Sequence, residues 1–268
     1  MSRVSDPSIP SEADAATPDL GRPLLEARNV HKSYRRGPEE VHALRGADLS
    51  LSTGEIVALI GPSGSGKTTL LNVLCGWEHP EEGEVTWIGS APIAPEDRPW
   101  SDIAIVPQSL GLIEELSIRE NVELAARLAG GRDRSKRIDG LLKGFGLEAL
   151  ADREPTEVSL GEQQRTALSR ALVLRPRLLL ADEPTGHQDE GWARGIFRAL
   201  RLAAREGTCC LVATHNREVV RLVDRVVGIR DGQISHMDVD EVVAGGHVGP
   251  DTDAGAGDLD RFYRRPTS

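Results

Sequence analysis

The sequence predicts an α/β protein built on a buried parallel sheet, and three observations carry the prediction. Short apolar runs rich in branched residues recur at 56–60, 103–106, 178–181 and 208–213, as expected of strands covered on both faces. Segments with helical periodicity separate them, around 163–174 and 192–205. The first run leads through a glycine-rich stretch directly into a helix predicted over 68–74.

That junction reads Gly61-Pro62-Ser63-Gly64-Ser65-Gly66-Lys67-Thr68-Thr69, a G-x-x-x-x-G-K-T pattern. Glycines at 61, 64 and 66 let the backbone turn its N–H groups around a phosphate with no side chain in the way. The helix then presents its unsatisfied amides and positive dipole end to the same anion. Lys67 can reach terminal phosphates, and the Thr68 hydroxyl is placed to ligate Mg²⁺. The expectation is an ATP- or GTP-binding phosphate loop.

Around this loop the chain orders itself simply. Residues 1–22, rich in Ser, Pro, Ala and Asp, cannot bury enough surface to fold, and a body over 23–237 is expected. Strands are predicted over 24–30, 47–51 and 84–89, with turns at Gly37-Pro38 and Thr53-Gly54-Glu55. These flanking strands read as antiparallel, a small β layer over the nucleotide site. From 117 to about 150 the period becomes helical, with breaks at Gly130-Gly131, Gly140 and 144–146. This is read as an inserted helical subdomain over about 109–170. Asp231-Gly232 marks a tight hairpin within 226–234, and 238–268 is an acidic, Gly- and Asp-rich tail expected to be disordered.

Length and composition set limits. A chain of 268 residues with 39% hydrophobic and 28% charged residues can bury a full α/β core. No apolar run suffices to cross a bilayer, and 1–23 lacks the apolar core of a secretory signal. Cys75, Cys209 and Cys210 sit in apolar surroundings and suit neither a disulfide framework nor a zinc site, so a cytoplasmic chain is expected. The net charge is −10. Residues 1–23 hold four acids and two arginines, and 238–268 seven acids and three arginines, so most of the acidity lies in the tails. An acidic chain argues against wrapping nucleic acid.

Two more stretches carry chemistry. In Leu178-Leu179-Leu180-Ala181-Asp182-Glu183 an apolar strand ends in acids at the carboxyl edge of the sheet, where nucleotides bind in such folds. Asp182 is expected to hold Mg²⁺, and Glu183 to be the general base that polarises the attacking water. In Val158-Ser159-Leu160-Gly161-Glu162-Gln163-Gln164-Arg165, Ser159 reads as a helix cap with Glu162 as its capping-box partner.

This last segment, lying between the phosphate loop and the Asp-Glu strand, resembles the signature of ABC-type ATPases, usually Leu-Ser-Gly-Gly-Gln. Further marks follow in that family's order over 24–234. Tyr34 looks like the aromatic that stacks on adenine, and Gln108 like the Q-loop glutamine that senses Mg²⁺ and water. Asp189 matches the D-loop aspartate, and His215 the switch histidine that contacts the γ-phosphate. The resemblance implies a P-loop NTPase core with a small antiparallel β subdomain and an inserted helical subdomain. It also implies ATP sandwiched between one subunit's phosphate loop and the other's Ser159, Gly161 and Glu162. A second ATPase subunit, as a homodimer, and a separate integral membrane permease would be the partners. The protein would then sit on the inner face of the membrane.

Two departures stand out. Leu160 replaces the usual first signature glycine, bringing a Cβ to a close backbone approach. His187-Gln188 replaces the usual Asn-Leu before Asp189. The Gly-Glu-Gln-Gln-Arg form of the signature, with Ala-Asp-Glu-Pro-Thr-Gly after it, is similar to lipoprotein-release, macrolide-efflux and FtsE-type subunits. Two roles follow from that likeness: energising the export or extraction of a lipophilic, peptide or lipoprotein-like substrate, or regulating a membrane-anchored cell-wall enzyme without transport.

Overall fold

The computed structural model describes residues 20–88, 93–129, 134–186, 190–215 and 217–237. Of the tails read as disordered, 1–22 and 238–268, residues 1–19 and 238–268 lie outside them, as do Gly130-Gly131, His187-Gln188 and Asp189, whereas Gly21 and Arg22 are hydrogen-bonded to the backbone of Thr53.

Two sheets form the frame. β1 (Pro23–Arg36) and β2 (Glu39–Ser52) make a long antiparallel hairpin, and β4 (Glu82–Trp87) pairs antiparallel on the other side of β1. The second sheet has the order β5-β6-β7-β3-β8-β9, from β3 (Ile56–Ile60), β5 (Ile103–Val106), β6 (Leu178–Asp182), β7 (Cys209–Thr214), β8 (Arg225–Arg230) and β9 (Gln233–Met237). All its pairings are parallel except β8 with β9, joined by the Asp231-Gly232 turn.

Burial on both faces explains the apolar runs. Leu178 and Leu180 of β6 belong to one core, while Leu179 and Ala181 point into the other. The first core lies between the two sheets and holds α1 (Lys67–Leu74). The second is covered by α2 (Ile118–Leu128), α3 (Ser135–Gly144), α4 (Leu160–Leu172) and α5 (Glu190–Arg205). α2, α3 and α4 pack on one another and supply the helical region expected from the sequence.

The structure corrects several expected bounds. β1 and β2 run to 14 residues each, far beyond 24–30 and 47–51. Residues 39–42 of β2 are exposed, so the outer hairpin has no buried alternation to read. Gly140 is not a break. It lies inside α3, whose Ile138 and Leu142 are buried one turn apart, and that anchorage outweighs the cost of about 1 kcal/mol for one helical glycine. α4 begins at Leu160 rather than 163, immediately after its Ser159 cap. Cys75, Cys209 and Cys210 are free and buried, as expected of core residues.

Candidate functional site

The glycine-rich loop is held from behind by the rest of the fold. Every residue of β3 is buried, and the chain leaves it at Gly61, where an added Cβ would lie 2.2 Å from the Ile229 carbonyl oxygen. Gly64 and Gly66 have φ of +80° and +107°, backbone that side chains rarely adopt. Space opens in front of Gly64, whereas a Cβ on Gly66 would meet the Ala43 carbonyl at 2.4 Å. The β8–β9 turn braces the same loop: the Gly232 N–H donates to the Ser65 carbonyl at 3.0 Å, and the Arg45 N–H donates to the Gly232 carbonyl at 2.9 Å.

Lys67 opens α1 and folds back over the loop. Its Nζ donates to the carbonyls of Gly61 (2.8 Å) and Pro62 (3.1 Å). Burial pushes the ammonium below its ordinary pKa, against the opposing pull of Glu183 and Asp182. One residue on, the Thr68 hydroxyl donates to Asp182 Oδ2 at 2.6 Å, joining α1 to the end of β6. The two sequence motifs, 114 residues apart, thus meet through a single hydrogen bond.

Glu183 leaves the sheet with φ +52°, a left-handed conformation that costs a non-glycine residue about 1–3 kcal/mol. Three bonds hold it there. Its N–H donates to the Ala213 carbonyl (2.9 Å), and its carbonyl accepts from the Gly186 N–H (3.1 Å) and from Gln164 Nε2 (3.1 Å). Its carboxylate Oε1 lies 2.8 Å from Nδ1 of His215, which follows β7. Gln164 is buried on α4 and was not singled out from the sequence as a site residue. Only its position in the signature segment could have pointed to it.

A cavity of about 960 Å³ gathers these groups. Tyr34, Pro62, Ser63, Gly64, Gly66, Lys67, Thr68, Thr69, Gln108, Asp182, Glu183 and His215 all line it. Gly61 and Ser65, both buried, are not part of its lining. Val41, His42 and Asp231 also line the cavity, brought there by the outer hairpin and the β8–β9 turn, which carried no sequence signal for it. Tyr34 is 38% exposed, with its hydroxyl donated to Glu78 Oε2 at 2.5 Å. Burial first, and then the bond to Glu78, pushes its phenol up to about 12.

Ser159, Gly161 and Glu162 are not in this lining. They form the start of α4 with the expected capping box: Ser159 N–H donates to Glu162 Oε2 at 2.7 Å, and Glu162 N–H donates to Ser159 Oγ at 3.4 Å. Leu160 is 45% exposed on that helix tip.

The ABC transporter family model matches residues 44–186. The lipoprotein-releasing system ATP-binding protein LolD 1 of Rhodospirillum rubrum is 43% identical over 218 residues, covering 78% of this chain and 96% of that protein. An ABC transporter ATP-binding protein of Mycoplasma pneumoniae, the MG065 homolog, is 34% identical over 233 residues. That match covers 85% of this chain, which spans only half the length of that relative. Among solved structures, the dimeric post-hydrolysis state of the ATP-binding cassette MJ0796 bound to ADP and Pi is similar with a TM-score of 0.72 at 34% identity, covering 80% of this chain and 97% of that one.

Proposed function

We propose that this chain, which belongs to the ABC transporter family, drives a separate membrane permease by closing as a dimer around ATP. It is an ATPase, converting ATP and water to ADP and phosphate. The observation that carries the reading is the convergence of Lys67, Thr68, Asp182, Glu183 and His215 on one cavity beneath the glycine-rich loop.

The residue roles follow from that geometry. The loop amides and Lys67 hold the β- and γ-phosphates, with Lys67 exchanging its two carbonyl partners for phosphate oxygens. The Tyr34 ring is a face for the adenine. Glu183 takes the proton of the attacking water, while His215 is hydrogen-bonded to that carboxylate and reaches toward the γ-phosphate. The strained backbone of Glu183 fits the role of base, since such strain collects where geometry must be fixed.

Mg²⁺ suits the donors present. The Thr68 hydroxyl and the Asp182 carboxylate are hard oxygen ligands already within 2.6 Å of each other, and Gln108 lines the same cavity. These three residues would hold the ion, which would neutralise charge on the phosphates.

The dimer reading rests on what the cavity lacks. Ser159, Gly161 and Glu162 stand outside it at the start of α4, where Ser159 and Leu160 are exposed and Gly161 is buried, and would cover a second subunit's nucleotide with the amides and dipole of the helix. Among the described residues no helix is long and apolar enough to cross a membrane. In the proposed assembly this chain sits peripherally on the inner face of the membrane, against a separate integral permease. A lipophilic, peptide or lipoprotein-like cargo follows from the similarity to the lipoprotein-releasing relative.

Two measurements test the reading. The purified chain should hydrolyse ATP with Mg²⁺, and Lys67→Ala should lower the rate on the order of a hundredfold or more. Purification from solubilised membranes should bring an integral membrane protein with it in stoichiometric amount. Undiminished hydrolysis by Lys67→Ala, or a chain that leaves the membrane alone, would contradict it.

A further inference from the structure

Beside the phosphate loop lies a second set of polar contacts that no motif predicts. Glu78, in the turn after α1, accepts the Tyr34 hydroxyl on Oε2 at 2.5 Å and the Asn72 side-chain amide on Oε1 at 3.0 Å. Lys32 stands 3.7 Å from the same carboxylate, donates to the His79 carbonyl at 2.9 Å, and lies 5.8 Å from the Tyr34 ring centre. Backbone bonds fix the turn itself, since the N–H groups of Trp77 and Glu78 both donate to the Asn72 carbonyl. Asn72 sits on α1 one turn beyond Thr68 and faces the neighbouring pocket that Thr68 also lines. One carboxylate therefore links the aromatic on β1 to the helix that begins at the phosphates.

We infer that Glu78 is a positioning residue for nucleoside recognition: it pins the Tyr34 ring to α1, so that base and phosphates are held at a fixed separation. The inference rests on the nucleotide site proposed above and adds to it a residue that touches no part of the nucleotide. Without the tether, Tyr34 keeps its ring and the contact of its hydroxyl with the Thr69 side chain but loses the bond to Glu78 that fixes where the ring stands. A half-exposed side chain must then be ordered by the ligand, and affinity for the nucleoside falls. The phosphate loop has its own supports in Ile229, Ala43 and Gly232 and should not sense the change.

The test is calorimetric binding of two probes to the full chain with Mg²⁺, namely ATP and inorganic tripolyphosphate, which lacks the nucleoside. Glu78→Ala should weaken ATP roughly three- to tenfold while leaving tripolyphosphate within about twofold. In turnover the KM for ATP should rise by the same factor with kcat held. Tyr34→Phe, which keeps the ring and removes the tether, should reproduce the effect, and the double variant should be no worse than the single ones beyond about twofold. Glu78→Gln keeps one side-chain oxygen to accept the Tyr34 hydroxyl but turns an NH2 toward the Asn72 amide, so it should restore part of the affinity, and it also serves if Glu78→Ala folds poorly. Equal loss for both probes, or additive effects of Tyr34→Phe and Glu78→Ala, would overturn the inference. Failure of the site itself reads differently, because the unsubstituted chain would then bind neither probe.

Discussion

Glu183 combines two properties that a sequence motif cannot convey. Its place after an apolar strand was legible, but its left-handed backbone and its 2.8 Å contact with His215 depend on the ends of β6 and β7 lying side by side. Glu183→Gln keeps shape and removes the basic oxygen, so ATP should still bind while turnover falls about a hundredfold or more. Single-turnover hydrolysis checks this, and an unchanged rate would put the base elsewhere. The thiols offer a simpler test at the same scale. Burial pushes the Cys75 thiol up to about 11, that of Cys210 to about 12 and that of Cys209 upward as well. A raised thiol pKa keeps the unreactive protonated form, so at pH 8 the folded chain should resist a disulfide reagent and yield all three thiols only on unfolding. Stability held by these neutral thiols is present below the ordinary thiol pKa and declines as pH rises above it.

Elements were read well where burial imposed a period, and poorly where it did not. β3, β5 and β6 match their apolar runs to within a residue, because both faces are covered and every position must be apolar. The outer halves of β1 and β2 were missed, since their residues project beyond the core, yet they bring Tyr34, Val41 and His42 to the cavity. Asn72 and Gln164 were hidden for a related reason: a side-chain amide's partner is set by tertiary contact, as with Gln164 and the Glu183 carbonyl. The signature helix gives a prediction at this scale. Leu160 occupies the first position of α4 and is 45% exposed, so Leu160→Gly removes little core packing. It should lower the unfolding temperature only slightly and leave the ATPase rate equal or higher, because the helix tip can approach a second nucleotide more closely. A lower rate with intact folding would show that Leu160 contributes a contact of its own.

For the whole molecule, the two cores divide the labour. One locks α1 between the sheets and so fixes the phosphate loop, and the other carries α4, whose tip lies outside the cavity formed by the same chain. Each chain on this account supplies the loop of one site and the helix cap of another, and the nucleotide closes the pair. The most direct measurement is the sedimentation mass of the Glu183→Gln chain at saturating ATP and Mg²⁺. The account predicts a mass near twice 28.9 kDa that returns to the monomer value when ATP is removed. A species that binds ATP fully and remains at 28.9 kDa would contradict it.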